Sequence, residues 1–284
     1  MDLQMIKLSM NQNKRYEYFI FEVFIKILIY QSINQLINVS YLFKTNYFLR
    51  VFHKLLIVNN IFIDQTDYSF LKMQGLTKKI LPQLIVFDLD MCLWSPETYV
   101  LDEQPSKKII GQLGNIGAGV IGVQCGSQIL KLFPDVITIL QDFYNNKYPE
   151  VKLAVASSAD TPFAVKIAKN ALNMLEILPG VTIRQVLQKG WEDNFEGHIQ
   201  IGRTPPLSSR KSKSHFPLLL NNTGIPYTGM VFFDDCNWDD NCKHVEQDCI
   251  GVVTQRTPNG LKLHEWNQAL ENYQKKYSSE KHKE

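Results

Sequence analysis

The sequence predicts an α/β protein with a parallel sheet wrapped by helices on both faces. Three observations predict it. Apolar runs of strand length recur and end in polar residues, segments with helical spacing lie between them, and the two kinds alternate. The first strand is Leu84-Ile-Val-Phe87, running into Asp88 and Asp90. A helix is expected around Val136, Ile139, Leu140 and Phe143, followed by a strand over Val151–Ala156 that runs into Ser157-Ser158. Asp160 or Thr161 with Pro162 then starts a helix carrying Phe163, Ile167, Ala171 and Leu172, because proline suits the first helical position. Further strands are expected at Met230–Phe233, ending in Asp234-Asp235, and at Ile250–Val253, ending in Thr254. After the Pro258-Asn259-Gly260 turn, Leu263, Trp266, Leu270 and Tyr273 mark a last helix.

In an extended backbone, residues i and i+2 project to the same side, so Asp88 and Asp90 face one small volume where a buried strand emerges. Aspartate pairs also cap strand ends and start turns. A divalent cation is the other reason for two like charges at such a place, and oxygen-rich sites with one or two carboxylates suit Mg²⁺. In parallel α/β sheets, ligands bind in the crevice at the carboxyl ends of the strands, where Asp88, Asp90, Ser157, Asp234 and Asp235 would meet.

The motif Asp88-Leu-Asp90-Met-Cys-Leu-Trp94, then Ser157-Ser158, then a lysine-containing stretch, then Phe232-Phe-Asp234-Asp235, resembles the four motifs of the haloacid dehalogenase (HAD) superfamily of phosphotransferases. Within it the chain is similar to the magnesium-dependent phosphatase-1 group, through Leu81-Pro-Gln83, Trp94, Gly126 to Val136, Ser214-His-Phe216 and Thr223-Gly-Ile-Pro226 as well as the fourth motif. The resemblance runs from about Leu81 to about Tyr273. It implies a Rossmann-like sheet with a minimal cap, since Ser95 to Lys131 is short for a large cap domain.

The resemblance also implies roles. Asp88 would be the nucleophile that forms an aspartyl phosphate, and Asp90 the general acid and then base. Ser157, with Ser158 beside it, would bind a phosphoryl oxygen. The Mg²⁺ site would be built from Asp88, Asp90 through its carbonyl, Asp234 and the adjacent Asp235. A lysine would neutralise the transferring group, and Arg210-Lys211-Ser-Lys213-Ser214 supplies two. Lys213, nearer the helix start expected at Ser214, ranks first and Lys211 second. Cys92 departs from the threonine usual in the superfamily, and a thiol is the weaker donor.

Other motifs carry less. Gly117-Ala-Gly119-Val-Ile-Gly122 has dinucleotide-fingerprint spacing, but no clear strand precedes it, so a loop or small hairpin near the site mouth is expected instead. Cys236, Cys242 and Cys249 lack zinc spacing, and His198, His215, His244 and His264 form no metal pattern. Trp94 is expected to wall the site, and Trp191, Trp238 and Trp266 to be packing residues.

A net charge of +2 over 284 residues gives no electrostatic case for nucleic acid. Five cysteines without a secretory pattern suit a reducing, cytoplasmic location. Residues 1–72 contain no glycine, proline or alanine, which is unlike a globular region and fits translated AT-rich sequence ahead of a start at Met73. The rival is a surface or targeting helix; Tyr18 to Tyr30 is interrupted by Glu22 and Lys26 and is too short to span a bilayer. The expected organisation is an extension over 1–72, a phosphatase domain over 73–276 and a charged tail over 277–284. The expected activity is Mg²⁺-dependent hydrolysis of phosphate monoesters, on a phosphorylated small molecule or phosphoprotein, by a monomer or weak dimer. Phosphotyrosine-type aryl phosphates, or phosphosugars and their amine adducts, are implied by the resemblance, and nothing in the residues chooses between them. The alternatives are a catalytically silent phospho-ligand or metal-binding module of the same fold, and a phosphoacceptor receiver domain.

Overall fold

The structure, a computed structural model, describes residues 79–278, so the extension over 1–72 lies outside the described residues. The chain runs through β1 (Leu84–Phe87), β2 (Trp94–Ser95), β3 (Lys107–Gln112), β4 (Ala118–Cys125) and β5 (Gln128–Leu132), then α1 (Pro134–Tyr144) and β6 (Lys152–Ser157). After these come α2 (Pro162–Met174), β7 (Glu176–Leu178), β8 (Val181–Thr182), α3 (Ile183–Gln188), β9 (Ile199–Ile201) and α4 (His215–Thr223). The last elements are β10 (Met230–Asp234), α5 (Asn241–Asp248), β11 (Val253–Arg256) and α6 (Leu263–Ser278).

The central sheet has the order β11-β10-β1-β6-β9 with every pairing parallel. Because successive side chains alternate between faces, each central strand feeds two cores. Ile85, Phe87, Leu153, Val155, Val231 and Phe233 face the larger one with residues of α1, α2, α3 and α6. Leu84, Val86, Ala154, Ala156, Met230 and Phe232 face the smaller one with Phe216 and Leu219 of α4 and Val245 of α5. This is the expected α/β class. Thr161 caps α2, its hydroxyl accepting from the Ala164 amide at 3.0 Å, with Pro162 in the first turn.

Two expectations are corrected here. The strand expected at Ile250–Val253 begins only at Val253: Ile250 is 73% exposed, and Gly251 turns at φ +115° with the Thr228 backbone too close for a Cβ. Phe163, in the first turn of α2, faces solvent rather than the core. The segment with dinucleotide-fingerprint spacing forms the β3–β4 hairpin of an antiparallel sheet ordered β2-β5-β4-β3, as expected of a small hairpin insert. Its Gly119 lies in β4, where a Cβ would collide with Leu113 and Glu176. No helix among the described residues is long and apolar enough to cross a membrane.

Candidate active site

Strands β10, β1 and β6 are neighbours and end at the same level, so their last residues and the loops after them share one crevice. Asp88 follows β1 directly, and its amide donates to the Phe233 carbonyl at 2.9 Å. Asp234 closes β10 and Ser157 closes β6. Ligand oxygens of Asp88, Asp234 and Asp235 lie within 4.8 Å of one another, and all three residues are buried.

Lys211 is the cation of this floor. Its ammonium lies 2.8 Å from Asp88 Oδ1 and 2.6 Å from Asp234 Oδ2, and only 3% of its side chain is exposed. Burial opposes its charge, but Asp234 and Asp88 outweigh burial, and its pKa rises above that of an ordinary lysine. For Asp88, burial pushes the carboxyl up; Lys211 pulls it back, and Asp234 and Asp235 add to the rise. Burial and Asp234 push the Asp235 carboxyl up to about 6. Three buried carboxylates thus share one buried ammonium, a set of hard oxygen donors with charge to spare that fits a divalent cation such as Mg²⁺.

Lys213 lies outside this floor, which reverses the order given to the two lysines. Residues 211–213 form a 3₁₀ turn, in which each position is rotated by about 120°, so residues two apart point to different sides. Lys213 is 61% exposed at its side chain and pairs with Asp248 at 2.8 Å. The turn is anchored by the Ser212 hydroxyl, which donates to Asp248 Oδ2 at 2.6 Å. Beside it, the buried His215 ring donates from Nε2 to the Ser157 carbonyl at 3.1 Å and meets the Ser214 hydroxyl with Nδ1 at 3.0 Å. Ser158 donates its hydroxyl to the Ser209 carbonyl at 3.3 Å.

The Asp90 side chain stands apart from the three-carboxylate cluster. Its Oδ1 accepts the Trp94 indole N–H at 2.7 Å, and its Oδ2 accepts the Thr98 amide at 2.8 Å and hydroxyl at 2.6 Å. Burial raises its pKa against these hydrogen bonds. Trp94 is fully buried and aims this carboxylate. Thr98 lies in a 3₁₀ turn over Thr98–Val100 and carries no motif signal; a hydroxyl residue a few positions after the first motif was its only trace. Cys92 is buried with its thiol turned to the Phe233 carbonyl at 3.8 Å. Met91 and Cys236, one after each acidic pair, both hold φ 55°. Non-glycine residues at positive φ concentrate at functional sites, where surrounding structure holds them.

Residues 80–276 match the family model described as Acid Phosphatase. The chain belongs to the acid phosphatase family. It is a HAD-type phosphatase, as the motif likeness anticipated. It is 30% identical over 162 residues to a HAD-like hydrolase superfamily protein of Schizosaccharomyces pombe, covering 54% of this chain and 76% of that one. It is 24% identical over 197 residues to magnesium-dependent phosphatase 1 of Homo sapiens, covering 69% and 89% respectively. Among solved structures, the N-terminal part of a Bacteroides fragilis protein containing a phosphatase domain, complexed with Mg, aligns with a TM-score of 0.40 and 14% identity, over 72% of this chain and 43% of that one.

Proposed function

We propose that this acid phosphatase family member hydrolyses phosphate monoesters with Mg²⁺, through a phosphorylated Asp88. The observation that carries the reading is the floor itself: Asp88, beside the lysine and two further carboxylates, at the mouth of the central strand. Asp88 attacks phosphorus as the leaving oxygen takes a proton from Asp90; Asp90 then takes a proton from the water that attacks phosphorus and frees Asp88. A half-buried Asp90 with a raised pKa, aimed by Trp94 and Thr98, suits a proton donor. Lys211 neutralises charge on the transferring group, and Ser157 donates to a phosphoryl oxygen. Asp88, Asp234 and Asp235, with the Asp90 carbonyl, would hold Mg²⁺, which supplies charge neutralisation of the phosphate dianion.

Phosphotyrosine-type and phosphosugar monoesters both present the same phosphate to this floor. Five free thiols suit a reducing cytoplasm. Purified protein is expected to turn over p-nitrophenyl phosphate for many cycles with Mg²⁺ and to stop with EDTA. Binding of phosphate without turnover would instead favour the silent module, and equal rates in EDTA would remove the metal from the reading.

A further inference from the structure

On the phosphatase reading above, on which this inference rests, Asp90 must bring its carboxyl to the oxygen that leaves phosphorus. A misplacement of about 1 Å can cost on the order of 10²-fold in rate. Half of its aim comes from Thr98, which donates its amide and its hydroxyl to Asp90 Oδ2. Thr98 itself sits in a single 3₁₀ turn whose backbone bonds are long, 3.3 Å from the Val100 amide to the Glu97 carbonyl and 3.3 Å from the Leu101 amide to the Thr98 carbonyl. So short a turn, with the poor hydrogen-bond geometry of its kind, does not hold itself. It is fastened from outside. At its C-terminal end the Gln128 side-chain amide, on β5, donates to the Val100 carbonyl at 3.0 Å. At its N-terminal end Glu97 and Tyr99, the two neighbours of Thr98, both grip Trp238.

Trp238 lies three residues after Asp235, beyond the turn in which the Cys236 amide donates to Asp234 Oδ1 at 2.9 Å. Its indole N–H is shared between both Glu97 carboxylate oxygens, at 2.8 and 2.9 Å, and its ring packs edge-on against Tyr99 with centroids 5.9 Å apart at 78°. The ring is 75% exposed, so the expectation that Trp238 is a packing residue is corrected. An indole left in solvent gains little from burial; what it gains here is a bridge between two loops of the site. Glu97 is placed at a cost too. Among the described residues it enters no ion pair with a lysine or arginine. Burial pushes its carboxyl up, the Trp238 hydrogen bond pulls it back, and the like charges of Asp90 and Asp160 add to the rise. A carboxylate at this place also repels a phosphate dianion, and the indole is the partner that gives it a purpose. We propose that Glu97 and Trp238, braced by Tyr99, form a clasp that joins the loop of Asp234 and Asp235 to the 3₁₀ turn and so holds Thr98 against the proton donor Asp90. All three act through Thr98 and are positioning residues.

Two aryl esters read the aim of a proton donor. Nitrophenolate leaves phosphorus with little help from an acid and phenolate needs more, so a misdirected Asp90 penalises phenyl phosphate more than p-nitrophenyl phosphate. The quantity read is the ratio of their kcat/KM values with Mg²⁺, phenyl over p-nitrophenyl, which reports the step up to transfer to Asp88. Glu97→Ala and Trp238→Phe each remove the hydrogen bond, and Trp238→Phe keeps a ring against Tyr99. Each is expected to lower the ratio about tenfold. The double variant should be no worse than the worse single one, because the two residues act as a unit. Glu97→Gln, whose amide oxygen still accepts the indole N–H, should recover most of the ratio. Equal losses on both esters, unchanged values in both single variants, or losses that multiply in the double variant overturn the clasp. Asp90→Asn separates this failure from that of the reading beneath it. A ratio that falls in Asp90→Asn but not in the clasp variants removes the clasp and leaves the phosphatase reading standing. An unchanged ratio in Asp90→Asn, or no turnover of either ester by wild type, removes the proton-donor role and the clasp together.

Discussion

The two sides of the 3₁₀ turn over Lys211–Lys213 hold the same chemical pair at the same distance. Lys211 meets Asp88 at 2.8 Å on the inner side, and Lys213 meets Asp248 at 2.8 Å on the outer side. Their surroundings differ, with 3% against 61% of the lysine side chain exposed. Charge interactions scale inversely with the effective dielectric, so the inner pair is strong and expensive to break, and the outer pair is screened by water and salt. Distance alone does not tell a functional ion pair from a superficial one. What tells them apart is the third partner: Asp234 crowds the inner pair, so removing Lys211 leaves buried carboxylates without a counter-charge.

The largest effect should therefore come from the inner lysine. Lys211→Met, which keeps length and removes charge, is expected to lower kcat by roughly 10²-fold or more, the scale of losing one preorganised stabilising donor. It should also lower stability by about 3–5 kcal/mol in EDTA, since breaking one partner of a buried pair strands the other. Denaturant unfolding and p-nitrophenyl phosphate kinetics check both, and a variant within threefold of wild type in rate would erase the distinction between the two sides.

A second effect follows from His215, which is buried beside the inner lysine and bonded to the Ser157 carbonyl. Burial, helped by the Lys211 charge, lowers its pKa to about 4. The unfolded chain binds that proton near pH ~6.5, so between about 6.5 and 4 the unfolded state carries more protons. Stability is thus full above that window and falls as pH drops through it, by an amount on the order of 1–3 kcal/mol. On the outer side, the Lys213 and Ser212 bonds hold the Asp248 carboxyl below the usual carboxylate range, so its contribution disappears only at still lower pH. Urea midpoints of wild type and His215→Gln between pH 7 and 5 separate the two: the wild-type decline should flatten in the variant, and parallel curves would show that His215 is not its source.

The smallest effect belongs to the outer pair. Lys213→Ala is expected to change kcat less than twofold, with a slight loss of thermal stability that fades as salt is added. A tenfold loss of turnover would return Lys213 to the site.

The strand-end residues were legible because burial and chemistry change together there: Leu84–Phe87 and Met230–Phe233 are wholly apolar, and the carboxylates that follow need a purpose. The order of the lysines was not legible. Proximity to the α4 start favoured Lys213, but the phase of a single 3₁₀ turn decides which side chain turns inward, and that phase is set by Ser212 binding Asp248, 36 residues on. Thr98 and Glu97 were invisible for a similar reason, since their partners Asp90 and Trp238 lie 8 and 141 residues away. The Ile250 shift came from reading apolar character without the turn that Gly251 makes against Thr228.

Asp88 itself is proposed to carry the phosphoryl group. Acid-quenching the enzyme during turnover of p-nitrophenyl phosphate with Mg²⁺, followed by borohydride reduction and peptide mass spectrometry, reads this directly. An aspartate-to-homoserine conversion is expected at Asp88 alone, absent in Asp88→Asn, whose turnover should fall by on the order of 10⁴-fold. Conversion at Asp90 or Asp234, or an Asp88→Asn protein that keeps a tenth of the wild-type rate, would contradict it.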